Sequence, residues 1–398
     1  MPDKHARLSP SSAERWINCP GSARLAELYP ESRSDAAEEG TLAHNLARIM
    51  IESRSGDITP EETIEQTRSA EAEITAFYKE HKDLPGSFEA MFKILEPYVD
   101  YVFAEYEATK AVDPAAVIMA EREVRFDQYV PDGFGTSDVV IIGGGMATVI
   151  DLKYGKGVAV SAVNNPQIRL YAIGAMAEFD LLYDFDRMKV VIYQPRLDSV
   201  TAQELTVAEL KDWAEKVVKP AAIEASGDKA HFGPGPWCDS HFCPAAVKCR
   251  ARAEYLLALE TYAVKDPELL TDDELGTILP KLDALQSYAR KVQDYAVGAI
   301  TTGHPIAGWK VIEGRSNRKY IDEDKVAAAV KAAGYEDAMI YERSLLGITK
   351  MTALLGAKQF KEIIDKAGLI YKPPGAPKLA PADDPHPAFS PAAADFDD

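Results

Sequence analysis

The stretch Phe134-Gly135-Thr136-Ser137-Asp138-Val139-Val140-Ile141-Ile142-Gly143-Gly144-Gly145-Met146-Ala147-Thr148-Val149-Ile150-Asp151-Leu152-Lys153 decides the fold. Two β-rich runs, 139–142 and 148–152, flank three consecutive glycines, the composition of a tight hairpin. With the turn midway, Asp138 and Asp151 fall opposite each other at the open end of the hairpin, and Asp151 and Lys153, two apart, share a face. Aspartate is disfavoured in strands, so secondary structure alone does not explain the two carboxylates. The bland alternative is a solvated Asp–Lys pair on an exposed face.

Working outward, a strand is expected at 117–126. Further upstream, Phe92, Leu95, Val99, Val102 and Tyr106 recur at helical spacing. A helix at 38–50 carries His44, and a short one through Trp16 and Ile17 is capped by Ser9, Ser11 or Ser12 and ended by Pro20 and Gly21. The charged segment before Phe92 reads as loop. Downstream, a helix starts at Pro166 and runs towards Phe179, a strand covers 189–194 and a helix covers 204–225. The order helix, three strands, helix, strand, helix specifies an α/β core with a partly antiparallel sheet flanked by helices. Runs at 256–262, 275–300 and 325–333 read as helices with a β-like piece at 309–312, a mainly helical C-terminal region. The expected division is 1–255, 256–371 and a Pro-rich acidic tail, 372–398, expected to be disordered.

A chain of 398 residues with 46% hydrophobic residues buries at least one large core. It contains no run long and apolar enough to span a bilayer, and the start MPDKHARLSPSS lacks the apolar core of a secretion signal, so a cytoplasmic location is expected. The net charge of -19 counts against a protein that coats DNA with its whole surface, and any nucleic-acid contact must lie in a basic or cation-filled cleft. The four cysteines, Cys19, Cys238, Cys243 and Cys249, are too few for a disulfide framework, and metal binding is the better reading.

Phosphodiester hydrolysis needs hard oxygen ligands for Mg²⁺ or Mn²⁺, an activated water, and a cation beside the scissile phosphate. Asp138 and Asp151 supply ligands, the Leu152 carbonyl offers another, and Lys153 positions the water and stabilises the phosphorane charge. On the helix from Pro166, Gln167 and Tyr171 lie one turn apart on one face.

The order Gly135-Thr136-Ser137-Asp138, then Asp151-Leu152-Lys153, then Gln167-x-x-x-Tyr171 resembles the RecB-like PD-(D/E)XK nuclease superfamily, with its restriction-endonuclease-like core. The resemblance covers roughly residues 8–255 and looks closest to phage or prophage members. It implies a metal-dependent DNA exonuclease in recombination or replication, beside a single-strand annealing or single-strand binding protein. By the same resemblance Gln167 and Tyr171 orient the lysine or contact DNA, and His44, in Glu39-Gly40-Thr41-x-x-His44, joins the metal ligands. Glu121 is a further candidate ligand, with Glu123 expected on the same strand face. Cys19 with C-x4-C-x5-C at 238–249 is similar to the [4Fe–4S] motif of AddB and CRISPR-associated adaptation nucleases. The C-x4-C gap departs from that pattern, and zinc, or His241 in place of a cysteine, is the alternative. Arg315, Arg318 and Lys319, flanked by Trp309 and Tyr320, form a second basic-aromatic candidate for DNA contact. A catalytically silent DNA-binding scaffold and an RNA-directed nuclease are the competing functional readings; oligomeric state is left open.

Overall fold

The computed structural model describes residues 6–29, 34–180, 182–257, 271–311 and 348–370, with single positions at 325, 327, 328 and 331. Arg315, Arg318, Lys319, Tyr320, Ile312, the helix end at 258–262 and the tail from 372 lie outside the described residues. The chain divides into two compact units, Met1–Val311 and Ile312–Asp398. In the second, Ile348–Leu355 and Ala357–Phe360 are helical. The first extends past residue 255 and includes a 30-residue helix, Asp272–Thr301. Trp309 is exposed and outside any strand, contrary to the β-like reading at 309–312.

The first unit is built on a mixed five-stranded sheet in the order β1 (Val117–Arg125), β2 (Phe134–Gly143), β3 (Met146–Leu152), β4 (Arg187–Gln194), β5 (Ser199–Thr206). All neighbours are antiparallel except β3 and β4, which run parallel and are joined through helix α6 (Pro166–Phe179). Gly144 and Gly145, at φ 60° and 75°, make the hairpin turn; two successive left-handed residues match the twist of the strands, and glycine adopts them without strain.

Two expectations are corrected. The helix read from Glu204 begins only at α7 (Val207–Trp213), because 199–206 forms β5, an edge strand whose half-buried and exposed residues alternate. Thr206 and Glu209 form the capping box that marks the true start, and a wider π turn leads on to α8 (Lys219–Ser226). The charged segment read as loop is instead helix α4 (Pro60–Glu80), started by the Thr59–Glu62 capping box with Pro60 in its first turn. Its charges face water, while Ala70, Ile74 and Phe77 are buried. At the N-terminus, Gly21 opens a second short helix, α2 (Gly21–Ala26), and Ser12 precedes α1 (Ala13–Asn18) without a side-chain cap.

Both sheet faces are covered, so the central strands are apolar on both sides. Val140, Val149, Val190 and Ile192 pack with Ile168, Leu170 and Ile173 of α6 and with Trp16 of α1. On the other face, Val139, Ile141, Ile150 and Val191 pack with Leu46 and Ile49 of α3 (Asp35–Ser55), Ile74 of α4, and Leu95, Val99 and Val102 of α5 (Phe88–Val112). The site residues are thereby clamped between α3 and α6. Close approach of α6 to β1 depends on Gly174: a Cβ there would lie 2.9 Å from Val124 Cβ. Gly174→Ala should therefore destabilise the unit by about 1–3 kcal/mol, read as a lower urea midpoint at unchanged m-value.

Candidate metal centre

The hairpin register pairs Val139 with Ile150, which sets Asp138 opposite Asp151. Asp138 Oδ2 accepts a 2.6 Å hydrogen bond from Leu152 N–H, and its Oδ1 lies 3.1 Å from His44 Nδ1. His44 Nδ1 is also 4.0 Å from Glu121 Oε1. One ligand atom each from His44, Glu121 and Asp138 falls within 4.8 Å of the others.

Glu121 sits across β1 from Asp138 and has φ 45°. This left-handed residue changes which side of β1 faces the α6 core. Before it, Val117 and Met119 pack there; beyond it, Val124 and Phe126 do. The two-residue alternation that put Glu121 and Glu123 on one face fails at that point. Glu123 is exposed and lies 3.7 Å from Arg125. Backbone strain of this kind is typical of sites whose surroundings over-determine it. If Glu121 is a ligand, Glu121→Gln should weaken divalent-cation affinity by about 10–100-fold, and Glu123→Gln should leave it unchanged, both measured by calorimetric titration.

Asp151 is 3% exposed. Lys153 Nζ lies 3.0 Å from its Oδ2 and donates to Gln167 Oε1 at 3.0 Å. Gln167 Nε2 in turn reaches Asp151 Oδ1 at 3.3 Å and Tyr171 Oη at 3.4 Å. Asn165 caps α6 by accepting from the N–H groups of Gln167 and Ile168, which fixes Gln167 at the helix start. Lys153 N–H is tied to Tyr193 O at 2.9 Å. The structure thus brings Asp138, Asp151, Lys153, Gln167, Tyr171, His44 and Glu121 together, and Leu152 joins them through its N–H.

Electrostatically the cluster has too much negative charge for its depth. Burial raises the Glu121 carboxyl to about 7, with Asp138 adding to the effect. Burial disfavours charge on His44, but Asp138, Asp151 and Glu121 overcome this and hold the imidazole at about 9. Asp151 is raised by burial and by Asp138, whereas His44, the Leu152 N–H and Lys153 hold Asp138 low against its burial. Tyr98 Oη is buried without a hydrogen-bond partner, and Asp151 Oδ2 accepts no hydrogen bond although the Lys153 ammonium lies 3.0 Å away. Unfilled oxygen valences beside crowded carboxylates fit a cation site built from hard oxygen donors.

Tyr98 was not singled out from the sequence, because it lies one position off the apolar stripe of α5. It is 1% exposed and feels the charges of Asp138, Asp151 and Glu121. Glu39, of the motif around His44, was likewise unassigned. It is buried and accepts from Tyr78 Oη (2.8 Å) and Arg196 Nη1 (2.9 Å), and Arg196 lies 4.9 Å from the Tyr154 ring centre. The pair ties the helix of His44 to the residue that follows Lys153.

Away from this centre, Cys19, Cys238, Cys243 and Cys249 line one cavity with Arg15 and Trp237, and none is in a disulfide. Among the described residues, no three thiol sulfurs come within 4.8 Å of one another. Burial raises the Cys19 and Cys243 thiols, and neighbouring cysteines add to the shift. His241 does not line the cavity; it contacts Ser240 Oγ and Glu14.

A mixed sheet with helices on both faces, carrying this acidic centre at the open end of its hairpin, makes the chain an α/β protein. Residues 5–387 match the family described as protein of unknown function, DUF2800, and the chain belongs to that family. Among solved structures it is similar to a candidate exonuclease from Eubacterium rectale, with a TM-score of 0.33, 12% identity, and 59% of this chain and 86% of that one covered. It is also similar to SSO0001, with a TM-score of 0.24, 12% identity, and coverage of 60% and 96%. Among the described residues no helix is long and apolar enough to cross a membrane.

Proposed function

We propose that this chain is a divalent-metal-dependent nuclease that cuts DNA from its ends. The observation that carries the reading is the convergence of the half-buried Glu121, Asp138 and His44 on one point, with the buried Asp151 opposite Asp138 and Lys153 fastened beside it by Gln167. Asp138, Asp151, Glu121 and His44 would hold Mg²⁺ or Mn²⁺, with the Leu152 carbonyl as a further donor. When bound, the cation supplies Lewis-acid polarisation of the phosphate and activation of the attacking water. Lys153 offers its ammonium to the charge that develops on the phosphate, Gln167 holds that ammonium in place, and Tyr171 braces Gln167. His44 must give up its proton to become a ligand, so cation binding should release protons. The inferred setting, by the resemblance to RecB-like nucleases alone, is phage recombination or replication beside a single-strand annealing or single-strand binding protein.

The four cysteines are assigned a [4Fe–4S] cluster. A single zinc ion would draw four sulfurs to about 2.3 Å from itself, closer together than these thiols stand, whereas four thiolates suit either group by their chemistry. Bound there, the cluster would join residue 19 to the 238–249 segment and act structurally. Zinc at one equivalent in protein purified without air, with no brown colour, would overturn this assignment.

The substrate is tested by digesting matched DNA and RNA side by side. Faster loss of DNA is expected; preference for RNA would replace the substrate assignment. Binding of DNA with no cleavage in any metal would favour the scaffold reading.

A further inference from the structure

The loop from Cys238 to Cys243 carries an aromatic ring for which the fold has no packing role. Phe242 is 82% exposed, and its backbone sits at φ 44°. A bulky residue in the left-handed region is an outlier that persists only where its surroundings hold it there. Here they do. Phe242 N–H donates to Asp239 O and Cys243 N–H to Cys238 O, both at 3.2 Å. Asp239 is gripped by Arg252 (2.6 Å), Lys291 (2.6 Å) and Ser287 (3.2 Å), and Arg252 is itself 2% exposed. From the other side, Arg15 Nη1 donates to His241 O at 3.0 Å, and Glu14 lies 3.3 Å from His241 Nε2. A charge network anchored on the buried Arg252 therefore fixes a hydrophobic ring in water.

The position of the loop narrows what that ring meets. Glu14 and Arg15 belong to α1, and Pro10, just ahead of α1, packs with Tyr171 around Gly135. One strut thus touches both the candidate centre and the loop. An exposed ring on a loop tied through α1 to a candidate phosphodiester-cleaving centre matches the face of an unpaired nucleobase, which every base presents and which stacks without sequence preference.

Resting on the nuclease reading, we propose that Phe242 is a stacking platform for an unpaired base of the strand being cut, so that single-stranded or frayed ends bind in preference to blunt duplex.

The test uses the full chain with Lys153→Ala to prevent cleavage, and compares Phe242→Gly and Phe242→Trp in the same background. Anisotropy of a labelled single-stranded oligonucleotide and of a blunt duplex gives affinity, and thermal melting gives stability. Phe242→Gly should lose about tenfold in single-strand affinity, keep its duplex affinity within about twofold, and melt no lower than its parent, because glycine relieves the backbone. Phe242→Trp should keep the affinity. Unchanged single-strand affinity in Phe242→Gly would overturn the proposal, as would a loss of affinity accompanied by a lower melting temperature. Dissociation of an oligomer with unaltered affinity would reassign the ring to contact between copies. If wild type cleaves DNA and Phe242→Gly behaves as its parent, only the platform fails; if wild type neither cleaves nor binds DNA, the nuclease reading itself has failed.

Discussion

Lys153→Ala should lower the DNA cleavage rate by about 10³-fold, the scale on which a preorganised charge donor contributes to catalysis. The ammonium is held by Gln167 and sits 3.0 Å from Asp151, an arrangement that fixes one geometry instead of leaving a flexible solvated lysine. Folding should survive the change. The lysine side chain is 28% exposed, and Asp151, already raised by burial, can take up a proton when its partner is lost. Initial rates on end-labelled DNA at saturating Mg²⁺, with thermal melting of the same samples, separate the two effects. A variant that melts like wild type and cleaves like wild type would place the catalytic centre elsewhere.

The second large effect concerns the cysteines. Cys19 comes from the segment between α1 and α2, and its three partners follow Trp237, so a group held by all four joins distant parts of the chain. Cys19→Ala should bleach the brown colour expected of a cluster. A group present at about 1,000 times its dissociation constant adds about 4 kcal/mol to stability, so its loss should lower the melting temperature on the order of 10 °C. Absorbance near the visible thiolate-to-iron bands, iron and zinc content, and melting of protein purified without air check this. A colourless wild type whose melting temperature matches Cys19→Ala would show that the thiols are merely buried side chains.

How much was legible in the sequence follows from where local rules governed. The hairpin was readable because two glycines at left-handed φ admit one turn, and that turn sets Asp138 opposite Asp151 without further information. The helix from Pro166 was readable because its cap and its apolar face agree, and Gln167 and Tyr171 came with it. The strand 199–206 was missed because an edge strand half in water carries Thr, Gln and Glu, which look helical beside the true helix at 207. Helix α4 is hard to read because its many charges mask the Thr59–Glu62 capping box that starts it. The distinction between Glu121 and Glu123 depends on one left-handed residue, which is imposed by packing on α3 and α6 and leaves no mark on a two-residue pattern. Tyr98, and the Glu39–Arg196 pair, depend on long-range packing of helices that no motif records.

The central claim is tested most directly by incubating anaerobically purified protein with linear duplex and single-stranded DNA, labelled separately at each end, in Mg²⁺, Mn²⁺ or EDTA, beside Lys153→Ala. Loss of label that requires the cation and disappears in the variant is the predicted result, and the end that disappears first gives the polarity. Intact DNA under every condition, with wild type folded and its cations bound, would contradict the assignment.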